Sequence, residues 1–316
     1  MKKWMMGGAA ASLILVGIAA KTYESTGRPS HTEKCIIEQK ALMPEPKLEA
    51  ILCSYSVPRI PKSDCTAKPD IRQLSDRVRE LQGCIKGMKL PAKFDYITAK
   101  DTWQNFDYEK AYRISTRLVE LGKLNIDDKE LFVQACRYWP LIKYYSENLD
   151  RSRVDPKLSL LVAILESELV EETMSNNREG YHDTGLFQIN SHWGHVFQKA
   201  YGGSVHWTHG RDFTYTPNNI LVGLHYIRDH LAAIKCSSKN LEDMYPVEIF
   251  KLYNGYTSGK PRLKRPDGRH VRIAQYLEKM MFLPFVDAVS ADGKLVKERA
   301  RGIVLAEAPK TPSHFD

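Results

Sequence analysis

The sequence predicts a mainly α protein in which a helical N-terminal region precedes a second helical unit. Three observations carry this expectation. Apolar residues recur at spacings of three and four through most segments after residue 70. Two segments open on helix-start signals, Asp155-Pro156 and Thr216-Pro217. Between them only one short stretch, Asp183 to Asn190, reads as either a strand or a short helix at the edge of a cleft.

At the N-terminus, Lys2 and Lys3 precede a run from Trp4 to Ala20 without a charge, ending in Ala19-Ala20 before Lys21. That layout predicts an export signal over residues 1–24, either cleaved or kept as an inner-membrane anchor through residues 4–20. Residues 21–64 read as loop, interrupted by Pro29, Pro44, Pro46, Pro58 and Pro61. Six cysteines in an exported chain read as disulfides. Cys35, Cys53, Cys65 and Cys84 cluster, with three pairings open, while Cys136 and Cys236 stand apart.

Ile71, Leu74, Val78, Leu81 and Ile85 mark one helix face, closed by Gly87 and Pro91. Further helices are expected from Tyr108 to Leu121 and from Lys129 to Tyr145, the latter opened by Asp127-Asp128. Residues 25–150 thus form a Cys-containing, mostly helical region without a chemical motif. From Asp155-Pro156, Leu158, Leu161, Leu165 and Leu169 form an apolar stripe. Thr216-Pro217 opens a helix with Ile220, Leu224, Ile227, Leu231 and Ile234 in rhythm; Val247 to Tyr253 and Gly268 to Met281 complete a unit over residues 151–285. Residues 286–316 read as a flexible tail.

With 43% hydrophobic and 27% charged residues the 316-residue chain has a globular composition. Its net charge of +8 favours acidic partners: nucleic acid, an anionic membrane surface or an anionic wall polymer.

Six carboxylates lie between Leu165 and Asn190: Glu166, Glu168, Glu171, Glu172, Glu179 and Asp183. A carboxylic acid donates a proton at neutral pH only where its surroundings raise its pKa. Glu166 stands beside the apolar stripe, with Val162, Ala163 and Val170 as neighbours, and is the candidate acid. Glu168, Glu171, Glu172 and Glu179 fall on the polar side or in the following turn-rich stretch, where solvation explains them.

Four blocks then combine: Glu166-Ser167 at the end of an apolar helix, Gly185-Leu186-Phe187-Gln188-Ile189-Asn190, a helix starting at Asn218-Asn219, and Tyr253-Asn254. Their order and spacing over about residues 155–281 resemble the soluble lytic transglycosylase domain, with its lysozyme-like α+β fold. The long gap between Glu166 and Gly185 is similar to the branch associated with type IV secretion and conjugation. The resemblance implies cleavage of the β-1,4 bond between N-acetylmuramic acid and N-acetylglucosamine, with Glu166 as single acid/base and a 1,6-anhydro product. It implies substrate contacts from Ser167, Asp183, Gln188, Asn190, Tyr253 and Asn254, and neither cofactor nor metal. Glu168 departs from the family pattern, which favours a small residue two after the catalytic Glu.

The run from Glu166 to Ser191 also resembles c-type lysozyme, with Asp183 where that family has its second carboxylate. A retaining hydrolase would need this residue about 5 Å from the acid. Two other readings remain. His192-Trp193-Gly194-His195 and His206-Trp207-Thr208-His209 are a weak metal-site pattern, and the basic run Lys260 to Arg272 suits an exported wall- or nucleic-acid-binding protein. The expectation is an exported, periplasmic enzyme whose partners are peptidoglycan glycan strands and an envelope-spanning secretion, conjugation or phage-entry machine.

Overall fold

A computed structural model describes residue 52 and residues 71–88, 94–149, 153–176, 181–191, 213–234, 240–253 and 268–290. All of these belong to one compact unit, Pro44–Asp316. The segment 1–24, Cys35, Cys53, Cys65, Cys236, both His-Trp-x-His motifs, Asn254 and the basic residues 260–269 lie outside the described residues or have undescribed side chains. No described helix is long and apolar enough to cross a membrane.

The architecture is mainly helical with one small sheet, as the sequence predicts. Helix α1 (Ile71–Lys86) buries Val78, Leu81 and Ile85, the face its periodicity marks. Helix α2 (Tyr96–Gln104) is short and weakly patterned, and periodicity does not reveal it. Asp95 starts it by accepting the Thr98 amide at 2.7 Å, and Ala99 and Trp103 bury one side. Helix α3 (Tyr108–Glu120) is capped by Asp107 on the Lys110 amide at 2.9 Å.

Helix α4 (Lys129–Asn148), entered through a 3-10 turn at Ile126–Asp128, is buried along most of its length and is the central helix. It packs on α2, on α3, on α5 (Pro156–Ser167) and on α6 (Thr216–Ala233). Helix α5 starts as expected, with Asp155 accepting the Lys157 amide at 3.0 Å and Pro156 in the first turn. It fully buries Leu158, Leu160, Leu161, Ile164 and Leu165, a gross burial term of about 10 kcal/mol. Helices α7 (Pro246–Tyr253) and α8 (Gly268–Lys279) close the unit, both against α5.

Residue 150 does not mark a break in this packing. Helix α1 packs on α8, Gln82 donates to the carbonyls of Leu241 and Met244 at 2.8 and 2.9 Å, and Lys157 Nζ donates to the Ile85 carbonyl at 3.2 Å. One hydrophobic core therefore spans both halves.

The expected start of the tail at 286 is corrected. Residues 283–290 form a further helix, α9, with Phe285 and Val286 fully buried. Asp287 accepts the Trp139 indole N–H at 2.5 Å and pairs with Lys143 at 3.5 Å, both charges almost wholly removed from solvent. A run of eight residues is too short to show a helical period. The disulfide reading is corrected at two positions: Cys84 and Cys136 are free thiols, and Cys136 is buried so that its thiol pKa is pushed up.

The sheet is antiparallel, ordered β1 (Met174–Asn176), β2 (His182–Thr184), β3 (Ile189–Asn190). Asp183 stands opposite Ser175 on one side and Asn190 on the other. The ambiguous stretch is thus two strands around a turn.

Candidate active site

Glu166 occupies the last turn of α5. After Ser167 the helix ends abruptly: Glu168 and Leu169 take left-handed conformations, with φ of 54° and 62°, and the Glu168 amide bonds back to the Ile164 carbonyl at 2.9 Å. Left-handed backbone is unfavourable for residues with a Cβ, so neighbours must hold it. Leu169 is fully buried, which anchors the turn from one side.

Ser167 anchors it from another. Its hydroxyl bonds to the carbonyls of Ala163 at 3.1 Å and Leu186 at 2.9 Å, and the side chain is buried outside the cleft lining. The expected substrate contact of Ser167 is therefore corrected: the residue ties the end of α5 to the turn after β2.

That turn is built by Asn219, in the first turn of α6 and fully buried. Asn219 Oδ1 accepts the Phe187 amide at 2.9 Å, and Nδ2 donates to the carbonyls of Thr184 at 2.9 Å and Phe213 at 3.1 Å. Gly185 has φ 75°, and a Cβ there would fall 2.4 Å from Asn219 Nδ2. Gly223 lies under the Phe187 ring, where a Cβ would approach Cγ to 2.3 Å. Both glycines let backbone and side chain approach where any larger residue would push the turn away. Gln188, at φ 45°, completes the turn by donating to the carbonyls of Thr173 and Gly185 at 3.1 and 2.9 Å.

A cleft of about 700 Å³ opens between these parts. Glu166, Asp183, Gln188, Asn190 and Tyr253 all line it, so five of the seven predicted site residues converge. Asp183 is held in place by Asn190 Nδ2 on Oδ1 at 2.6 Å and the Ser175 hydroxyl on Oδ2 at 3.2 Å. The floor is apolar, with Val162, Val222, Ile227 and Leu252. Burial in this environment pushes the Glu166 pKa up to about 7; Arg272 on α8 opposes the rise and the Asp183 charge adds to it. A carboxyl so placed holds a proton near neutral pH and can release it, the property of a general acid and base.

Sequence reasoning missed the cleft wall contributed by α6. Tyr226 and His230 line the cleft, their rings 4.2 Å apart, with His230 Nδ1 on the Tyr226 carbonyl at 2.7 Å. Burial lowers the His230 pKa. The signal was present, since both flank the buried face of Ile220, Leu224, Ile227 and Leu231 at helical spacing.

One carboxylate read as solvated, Glu171, is corrected, and a second, Glu168, is exposed as expected but has partners. Glu171 pairs with Arg137 of α4 at 3.0 Å and accepts the Thr216 hydroxyl at 2.5 Å, joining α4 to the start of α6. Glu168 accepts a hydrogen bond from the Tyr276 hydroxyl of α8 and lies 4.0 Å from Arg272. Glu172 is exposed, as expected.

No curated protein and no solved structure shows a significant match to the chain. A family model does: residues 143–272, from the second half of α4 into α8 and containing every described residue of the cleft, match the Transglycosylase SLT domain. The chain therefore carries a lytic transglycosylase domain and is a glycosidic-bond lyase that acts on peptidoglycan.

Proposed function

We propose that Glu166 is the single acid/base of this lyase, cleaving between N-acetylmuramic acid and N-acetylglucosamine and leaving a 1,6-anhydro end. The observation that carries the reading is the Glu166 carboxyl in the cleft, half-buried over an apolar floor, with its pKa pushed up to about 7. Glu166 donates its proton to the bridging oxygen as the bond to C1 breaks. The resulting carboxylate then accepts the proton of the 6-hydroxyl as that oxygen bonds to C1. Glu166 ends protonated, and no water is consumed.

Gln188 spends its amide nitrogen on two backbone carbonyls, so it offers a sugar its Oε1 acceptor. Tyr253 borders the acid, with Asn254 next to it in sequence. Asp183, held by Asn190 and Ser175, binds substrate and raises the proton affinity of Glu166 without forming a covalent bond. Under the hydrolase alternative Asp183 would be the second carboxylate.

Digestion of purified peptidoglycan followed by mass spectrometry separates the two. Anhydro-terminated muropeptides support the lyase reading, reducing-end sugars support hydrolysis, and absence of release with folded protein overturns both. Glu166→Gln loses activity by a factor on the order of 10³. Asp183→Asn keeps product formation, and its activity-versus-pH limb moves to lower pH, because the charge that raises the Glu166 pKa is gone. Loss of all product in Asp183→Asn would instead favour hydrolysis.

Peptidoglycan lies outside the cytoplasm, so the reading includes export through residues 1–24, supported by Lys2-Lys3 and the uncharged run to Ala20. It also includes local wall opening for a secretion or conjugation machine, supported by the long spacing between Glu166 and Gly185.

A further inference from the structure

We propose that Glu168, gripped by Tyr276 and Arg272 of α8, is a positioning residue that fixes the left-handed end of α5 and so the direction in which Glu166 faces the cleft. The inference rests on Glu166 being the acid. Its starting point is the departure noted in the sequence, where a long acidic side chain stands two residues after the acid, in place of a small residue.

Glu166 is two residues from the point where α5 reverses into left-handed backbone. The turn has two consecutive left-handed residues that are not glycine, Glu168 and Leu169. Leu169 is held by burial and Ser167 by its bonds to Ala163 and Leu186. Glu168 has an exposed side chain, yet it is tied by the Tyr276 hydroxyl and approached by Arg272 at 4.0 Å. The Arg272 guanidinium lies over the Tyr276 ring at 5.5 Å from its centroid, so the two α8 residues brace each other. Helix α8 is itself fixed from the far side, by packing on α1 and by Arg77 on Glu278 at 3.3 Å.

The three groups connect α8 to the end of the catalytic helix. Tyr276 lies beyond the matched residues 143–272. Arg272 also acts through its charge, which favours the ionised form of Glu166. Among the described residues, the other charged or titratable groups lining the cleft with Glu166 are Asp183 from β2, Tyr253 from α7, and Tyr226 and His230 from α6. Displacement of a reacting group by a fraction of an ångström to one ångström costs up to 10²-fold in rate, so loss of the grip is read in turnover before it is read in folding.

The test uses the full chain with Glu168→Ala, Tyr276→Phe, Arg272→Gln and Arg272→Lys, measuring kcat and KM for release of soluble muropeptides, their pH profiles and thermal melting. Glu168→Ala and Tyr276→Phe lower kcat about tenfold with KM little changed, and their double variant loses no more than either alone. Arg272→Gln moves the activity limb set by Glu166 to higher pH, because its charge opposes the rise, and Arg272→Lys restores the limb. Unchanged kcat in both Glu168→Ala and Tyr276→Phe overturns the inference. So does a loss of kcat that only follows a loss of folded protein, with the Arg272→Gln profile unmoved. Full activity in Glu166→Gln would overturn the acid assignment itself, a separate failure that these variants do not mimic.

Discussion

Glu166→Gln is expected to stabilise the protein while abolishing its activity. The Glu166 pKa stands at about 7 against an ordinary 4.5, chiefly because burial penalises its charge. Folding therefore takes up a proton between these values, and native stability falls as pH rises from about 4.5 to about 7, after which the loss is complete. The gap corresponds to about 3 kcal/mol at most. Gln has similar shape and no charge, so at pH 8 the variant escapes this cost, while at pH 4, where Glu166 is protonated in both states, it gains almost nothing. For a unit of this size about 3 kcal/mol corresponds to about 6–12 °C in Tm. Thermal or urea unfolding of both proteins at pH 4, 5.5 and 8 reads the effect directly. Equal stability at pH 8, or an advantage that is the same at pH 4, would refute the account of Glu166 as a carboxyl forced into an unfavourable environment.

Two further outcomes follow from buried polar groups. Asn219→Ala removes three hydrogen bonds at a fully buried position, for a loss of about 3 kcal/mol and a Tm lowered by about 6–12 °C; Asn219→Asp keeps the acceptor for Phe187 but aims negative charge at the carbonyls of Thr184 and Phe213, and calorimetry finds it no more stable than the Ala variant. Asp287→Ala strands Lys143 without its buried partner and costs about 4 kcal/mol, measured as a Tm lower by about 8–16 °C; a flexible tail at this position would show no change.

The parts legible in the sequence were those whose physics is local. The stripe from Leu158 to Leu169, the Asp155-Pro156 start and the periodicity of α6 predict elements within a residue or two, because each is set by neighbours three or four positions away. Glu166 was legible for the same reason: its place beside the stripe implies burial, and burial raises its pKa. Contacts between distant residues were hidden. Nothing local shows that Ser167 turns to the Leu186 carbonyl, that Glu168 meets Tyr276 more than a hundred positions later, or that Asp287 neutralises Lys143. Helix α2 was hidden for a different reason, since it is too short and too weakly patterned to show a period.

The same non-local contacts bear on the N-terminal helices, which carry no motif of their own. Residues 143–272 contain every described residue of the cleft, yet 143 falls inside α4, a helix that packs on both α2 and α3. Arg137, before that boundary, holds Glu171 and through it the Thr216 hydroxyl at the start of α6, the helix that supplies Asn219, Gly223, Tyr226 and His230. Helix α1 supports α8, which supplies Arg272 and Tyr276. Both the wall of the cleft and the grip on the end of α5 are thus braced by residues that precede the matched domain. A raised carboxyl pKa lasts only while the carboxyl stays dry, so helices that supply no described residue of the cleft still hold Glu166 in the environment that raises its pKa.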